Sequence, residues 1–150
     1  MSRLEKVDEM IKKCANAAAM ALDCTVTLTF GLSDFADMVR NYPLENKITE
    51  LMAGYGLKVG DVPPASGSSD VGNVSYHCPA MQSMLSITDE NFALHTRDFR
   101  DATLKPKAHD AMAKGACCLA DLSLKIFNDA SFRNTVYEAW QKELKKKQSD

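Results

Sequence analysis

The sequence predicts an α/β fold, and three observations carry that expectation. Residues 24–30 alternate, with Cys24, Val26, Leu28 and Phe30 on one side and Thr25, Thr27 and Thr29 on the other. A period of two marks a strand with one buried and one wetter face. Met81 to Ile87 is a second strand-length stretch rich in apolar residues, followed by the polar turn Thr88 to Asn91. Around these two runs lie long segments whose apolar residues recur every three or four positions, the period of amphipathic helices. Helices mixed with short strands are the pattern of α/β architecture.

The first helix is expected over residues 2–22. Leu4, Val7, Ile11, Cys14, Ala18 and Ala21 step by three and four, and Ser2 with Glu5 has capping-box spacing. Ala15, Ala17, Ala18 and Ala19 would allow close approach to a sheet. The strand 24–30 needs neighbours that nothing else in the sequence obviously supplies. Gly31 to Arg40 reads as a linker with a short helical turn. Asn41 suits the cap of a second helix with Pro43 in its first turn, Leu44, Ile48, Leu51 and Met52 inward, and Gly54 and Gly56 at its end. Residues 58–69, with Pro63-Pro64, read as loop. A long helix is expected from Pro106 to about Asn128, with Ala108, Ala111, Met112, Gly115, Leu119, Leu122 and Ile126 facing the core. Gly115 costs about 1 kcal/mol relative to alanine there, which suggests a close contact at that point. Asp129 or Ser131 starts a last helix with Phe132, Val136, Ala139, Trp140 and Leu144 inward.

The 150 residues suffice for a real core, and 45% of them are hydrophobic. A net charge of −2 argues against a nucleic-acid face, which needs a basic surface. Lys145-Lys146-Lys147 is the one basic cluster; it reads as a solvated helix end, with a nucleic-acid or membrane tail as the alternative. No apolar run reaches the ~20 residues of a membrane span, and the N-terminus lacks the pattern of a signal peptide. Five cysteines without regular spacing give neither a disulfide framework nor a zinc motif, so a reducing, cytoplasmic setting is expected. Cys117 and Cys118 read as packing residues.

Candidate chemistry sits between residues 66 and 99. His95 follows the apolar run and a loop, the position at which open α/β sheets place ligands. Thr96, Arg97 and Asp98 stand next to it as possible partners for its second ring nitrogen. A lone histidine is nevertheless more often structural than catalytic. Asp70 lies in a Ser/Gly-rich loop, where a site role and an Asx-turn are equally open readings. Ser69 lacks the surroundings of a nucleophile. His77 reads as a surface or packing residue and His109 as solvent-facing.

Two motifs, Ser68-Ser69-Asp70-Val71-Gly72-Asn73-Val74-Ser75 and Leu94-His95-Thr96-Arg97-Asp98-Phe99, followed by an alanine-rich helix, resemble the back half of the zinc amidohydrolases. This is the clan of carboxypeptidase G and aminoacylase, and the likeness is strongest to the branch containing p-aminobenzoyl-glutamate hydrolase. The resemblance implies that residues 33–150 are the C-terminal half of a phosphorylase/hydrolase-like catalytic domain, a central sheet flanked by helices. Residues 1–32 would be the last helix and strand of a ferredoxin-like lid and dimerisation domain. It implies that His95 is a metal ligand and that Ser69, Asp70 and Gly72 line the same site. It further implies two zinc ions, with manganese or cobalt as alternatives, that assist hydrolysis of an amide in an N-acyl amino acid or small dipeptide.

The family's bridging aspartate, proton-shuttling glutamate and other ligands have no counterpart in this sequence. Catalytic zinc takes three protein ligands. The sequence is therefore expected to be inactive alone and to need the N-terminal remainder of the enzyme or a companion chain, in a dimer or higher oligomer. A non-catalytic assembly module built on the same fold, with an exposed strand edge, is the alternative. An unrelated small α/β protein with structural Asp70 and His95 is the third reading.

Overall fold

The computed structural model describes residues 2–31, 34–60 and 67–149. The side chain of Ser2, residues Pro63-Pro64 and Ser66 lie outside the described residues. Among these residues six helices follow in order: α1 (Ser2–Ala21), α2 (Tyr42–Gly54), α3 (Val71–Ser75), α4 (Arg97–Ala102), α5 (Pro106–Asn128) and α6 (Ala130–Ser149). Among the described residues there is no β-strand, so the expected α/β fold with a central sheet gives way to an all-helical one. The physical reason lies in the ladder. Alternation aims side chains, but a strand exists only where its N–H and C=O groups pair with a neighbour. Residues 24–30 and 81–87 are without regular structure and do not pair with each other.

Residues 24–30 fold back along α1 instead. Asp23 takes a left-handed conformation (φ 50°) after the helix, and the Cys24 N–H donates to Ala19 O at 3.0 Å. Further along, the Lys12 ammonium lies 5.5 Å from the Phe30 ring centre. This arm covers the side of α1 that carries Asp8, Lys12, Ala15 and Ala19. The neighbouring apolar stripe of Leu4, Val7 and Ile11 remains exposed, contrary to expectation. Helix α1 takes part in none of the extensive helix–helix contacts, which join α2, α5 and α6.

The core is where those three helices meet. Leu44, Ile48, Cys118, Leu122 and Val136 are buried together, with Met52, Met81, Ile126 and Phe132 packed around them. Asn41 caps α2 by accepting from the Leu44 N–H at 3.2 Å. At the other end Gly56 is left-handed (φ 72°), and the Leu57 N–H reaches back to Met52 O, as in a Schellman-type stop. Asp129 links α5 to α6, accepting from the Phe132 N–H at 2.9 Å and from Lys125 at 2.7 Å. The Lys125 ammonium, then the amide, hold its carboxyl below the usual range.

The long helix keeps its expected limits but not its whole expected face. Ala108, Ala111, Cys118 and Leu122 are buried, whereas Met112 and Leu119 face outward, 69% and 55% exposed. Gly115 does mark a close contact: a Cβ there would come within 2.6 Å of Leu85 as the segment 81–87 crosses α5. Within the stretch expected to be a linker, Gly31 to Arg40, Val39 is fully buried, as is the cap residue Asn41 that follows it.

Candidate functional site

The Ser/Gly-rich motif is built into that buried region. Gly72 presses on the preceding segment so closely that a Cβ would lie 1.9 Å from Ala36 O. Only glycine permits that approach. Asn73 clamps the same segment with both ends of its amide, donating to Asp34 O and accepting from the Ala36 N–H, each at 2.9 Å. The Ser75 hydroxyl accepts from the Val39 N–H at 2.8 Å and donates to Gly72 O at 2.6 Å. The Trp140 indole N–H of α6 donates to Ser75 O at 2.7 Å, and the Asn41 amide donates to Val136 O at 2.9 Å. No buried side-chain nitrogen or oxygen among the described residues lacks a partner. Such a completed network fixes the relative position of three chain segments.

Asp70 stands at the rim of this network. Ser69 accepts from the Val71 N–H at 3.3 Å and so opens α3, while Asp70 is helical (φ −64°) and provides no side-chain cap. Its carboxylate is exposed. The Tyr76 hydroxyl, just after α3, donates to Asp37 at 2.8 Å, and Lys147 of α6 pairs with the same carboxylate. Partial burial works against the charged Asp37. The hydrogen bonds from Lys147 and Tyr76 outweigh that cost and hold its pKa below the ordinary value. Burial, then the bond to Asp37, pushes Tyr76 up to about 12.

His95 occupies a turn of a different kind. Its backbone is left-handed (φ 63°), a region that non-glycine residues enter at a cost but that histidine visits more readily than most. Thr96 holds the turn closed. Its hydroxyl donates to Ala93 O at 2.7 Å and accepts from the Phe99 N–H at 3.3 Å, which caps α4. The short helix α4 was not evident from apolar periodicity, although Thr96 followed by Asp98 in the first turn is a start signal. With its hydroxyl committed to the backbone, Thr96 orders the turn that presents His95. Residues 94–98 are all exposed. His77 and His109 are exposed as well.

A cleft of about 470 Å³, not foreseen from the sequence, lies between the loop 87–92 and the α4–α5 junction; Phe92 and Asp98, on either side of the turn in sequence, line it and His95 does not. Asp89, Glu90, Asp98 and Asp101 line it, with Lys105 and Lys107. Lys107 is paired with Asp89.

The donor set decides how far a metal site goes. Among the described residues no three His, Cys, Asp or Glu side chains gather where they could hold an ion. His95 as placed falls short of the three protein ligands of a catalytic zinc, so the residues of this chain by themselves do not fit the metal pair.

No family model matches the chain. The chain is 27% identical over 149 residues to the Xaa-Arg dipeptidase of Mus musculus, a match covering 97% of this chain and 33% of that protein. It is 25% identical over 152 residues to the Xaa-Arg dipeptidase of Homo sapiens, covering 99% of this chain and 35% of that protein. The chain thus spans about a third of the length of the relatives it matches. Both relatives are dipeptidases by name, so the likeness is to peptidases in general terms. No helix among the described residues is long and apolar enough to cross a membrane.

Proposed function

We propose that this chain supplies one part of a metal-dependent peptidase that cleaves the amide bond of a dipeptide or N-acyl amino acid. The observation that carries the reading is similarity to dipeptidases along nearly the whole chain. His95 is the metal ligand this chain contributes, exposed on a turn that Thr96 orders. The remaining ligands and the proton-transferring carboxylate come from outside it, so the chain alone is inactive. Zinc is the expected ion, with manganese or cobalt suiting the same imidazole.

The cleft lined by Phe92 and Asp98, which flank the His95 turn in sequence, bears on the substrate. Four carboxylates face two lysines, and with Arg100 paired to Asp101 one net negative charge remains, which suits a cationic side chain. That agrees with the name of the two relatives, whose substrates end in arginine. A p-aminobenzoyl-glutamate-like substrate is the second reading, favoured by the Ser68–Ser75 motif, but it would bring another negative charge to the cleft.

The test is co-expression with the two thirds of the mouse Xaa-Arg dipeptidase that the chain does not match, supplemented with zinc. Hydrolysis of an arginine-terminated dipeptide is expected from the pair and not from either part. It should exceed hydrolysis of p-aminobenzoyl-glutamate. Replacing a metal ligand should cost at least about 100-fold, so His95→Ala is expected to lose that much activity. Full activity in that variant would remove His95 from the site. Association without hydrolysis of either substrate would favour a non-catalytic assembly module.

A further inference from the structure

Helix α5 has more apolar surface than its neighbours cover. Its charged residues, Lys107, Asp110, Lys114, Asp121 and Lys125, step by three, four and seven. At 3.6 residues per turn they fall in one strip only about 60° wide. The face toward α2 and α6 buries Ala108, Ala111, Cys118 and Leu122. A third face carries Met112, Ala116, Leu119, Ala120, Ser123 and Phe127, with no charge along about 22 Å of helix. All six are exposed, Phe127 to 78%. A helix apolar over most of its circumference belongs inside a protein, between two packing layers. This chain provides one layer.

The total surface makes the same point. A folded monomer of 16.5 kDa exposes about 7,500 Å². The chain exposes 11309 Å². The excess belongs to the whole chain, α1 and the irregular segments included, and is several times the ~800 Å² that each partner gives to an interface of standard size. The relatives carry twice as much additional chain as the part this chain matches.

We infer that the Met112–Phe127 face of α5 is the seat of polypeptide equivalent to the part of the dipeptidases that lies outside the match, which supplies a second layer. This rests on the reading that the chain is one part of a larger peptidase. It goes further in naming the surface and the occupant. The alanines at 116 and 120 allow close approach, and Leu119 and Phe127 are the anchors that fill the partner's surface.

The experiment uses the same co-expressed pair, with association and hydrolysis read separately. A one-to-one complex is expected, lost in Leu119→Lys/Phe127→Lys and kept in Val7→Lys/Ile11→Lys on α1. Unchanged helical circular dichroism of the lone variants shows that folding is intact. Peroxide footprinting gives a second readout. Met112 should oxidise readily in the lone chain and at least tenfold more slowly in the complex, whereas Met20 serves as the exposed reference on α1. A complex insensitive to the α5 charges, equal oxidation of Met112 with and without the partner, or no complex at all overturns the inference. So does self-association of the lone chain through α5, which would make a second copy the occupant. A complex that depends on α5 but hydrolyses nothing leaves this surface standing and overturns the catalytic reading alone.

Discussion

Two stretches singled out by the sequence are held in opposite ways. From Gly72 to Ser75 the chain is locked: a glycine against a carbonyl, an amide clamped at both ends, a hydroxyl shared between two backbone groups. From Leu94 to Asp98 the side chains face outward, and only the Thr96 hydroxyl ties the turn together. The difference separates building from presenting. The first stretch spends its polar groups on positioning residues 34–41 and α6. The second leaves an imidazole available to something outside the chain. Substitutions in the first stretch are therefore expected to be felt in stability and substitutions at His95 in chemistry.

The sharpest way to break the comparison is Gly72→Ala. A methyl group there would collide with Ala36 O, a backbone atom that moves only with the buried segment behind it. Overpacking of this kind is expected to cost about 3 kcal/mol, read as a lower urea midpoint with an unchanged slope. A loss under 1 kcal/mol would mean that residues 34–41 are not fixed against α3. Ser75→Ala comes next. It leaves the buried Val39 N–H without an acceptor and is expected to cost about 2 kcal/mol. Trp140→Phe removes the donor to Ser75 O and leaves a cavity where the larger indole packed, so it should cost about as much as Ser75→Ala, about 2 kcal/mol.

Much of this was legible in advance where the signal is local. Asn41, Pro43, Gly54 and Gly56 delimit α2, and Pro106 and Asp129 delimit α5, because caps and stops act over a few residues. The inward side of α6 was readable for the same reason, with Val136 and Trp140 buried as their spacing implies. The sheet was not, since alternation at 24–30 says nothing about whether a partner strand is present. Nor was the outward turn of Met112 and Leu119, because a helix with two apolar faces offers no clue as to which one its own chain covers. The bonds of Asn73 and Ser75 join residues more than thirty positions apart, beyond the reach of any local pattern.

A smaller effect sharpens the other half of the comparison. Left-handed backbone costs a non-glycine residue on the order of 1 kcal/mol, with histidine at the low end. Glycine would relieve that cost but lose up to about 1 kcal/mol through the freedom of the unfolded chain. His95→Gly is therefore expected to change stability by under 1 kcal/mol, while activity of the reconstituted enzyme is lost. A large loss of stability on this replacement would place the ring in the fold's own packing and remove it from the proposed metal.

The smallest predicted effect is a dependence on pH that arises at the locked stretch. Asp37 joins it to the end of α6 through Tyr76 and Lys147. Its pKa is lowered in the folded protein, so its contribution is complete above the ordinary value of 3.8 and is lost as pH falls through the lower folded value. Tyr76 has the opposite sign. With its pKa raised from 10.0 to about 12, its contribution is complete below 10 and fades as pH rises through 12. Between those limits this pair adds no slope. The Asp37 side chain is 53% exposed, and solvent screening holds the acid-limb effect to a few tenths of a kcal/mol. The comparison is between urea midpoints at pH 7 and pH 3 for the wild-type chain and for Asp37→Asn. The variant should lose less stability between those two pH values than the wild type. An identical loss would show that the ion pair with Lys147 does not form in solution, leaving Trp140 as the hydrogen bond that ties α6 to the locked stretch.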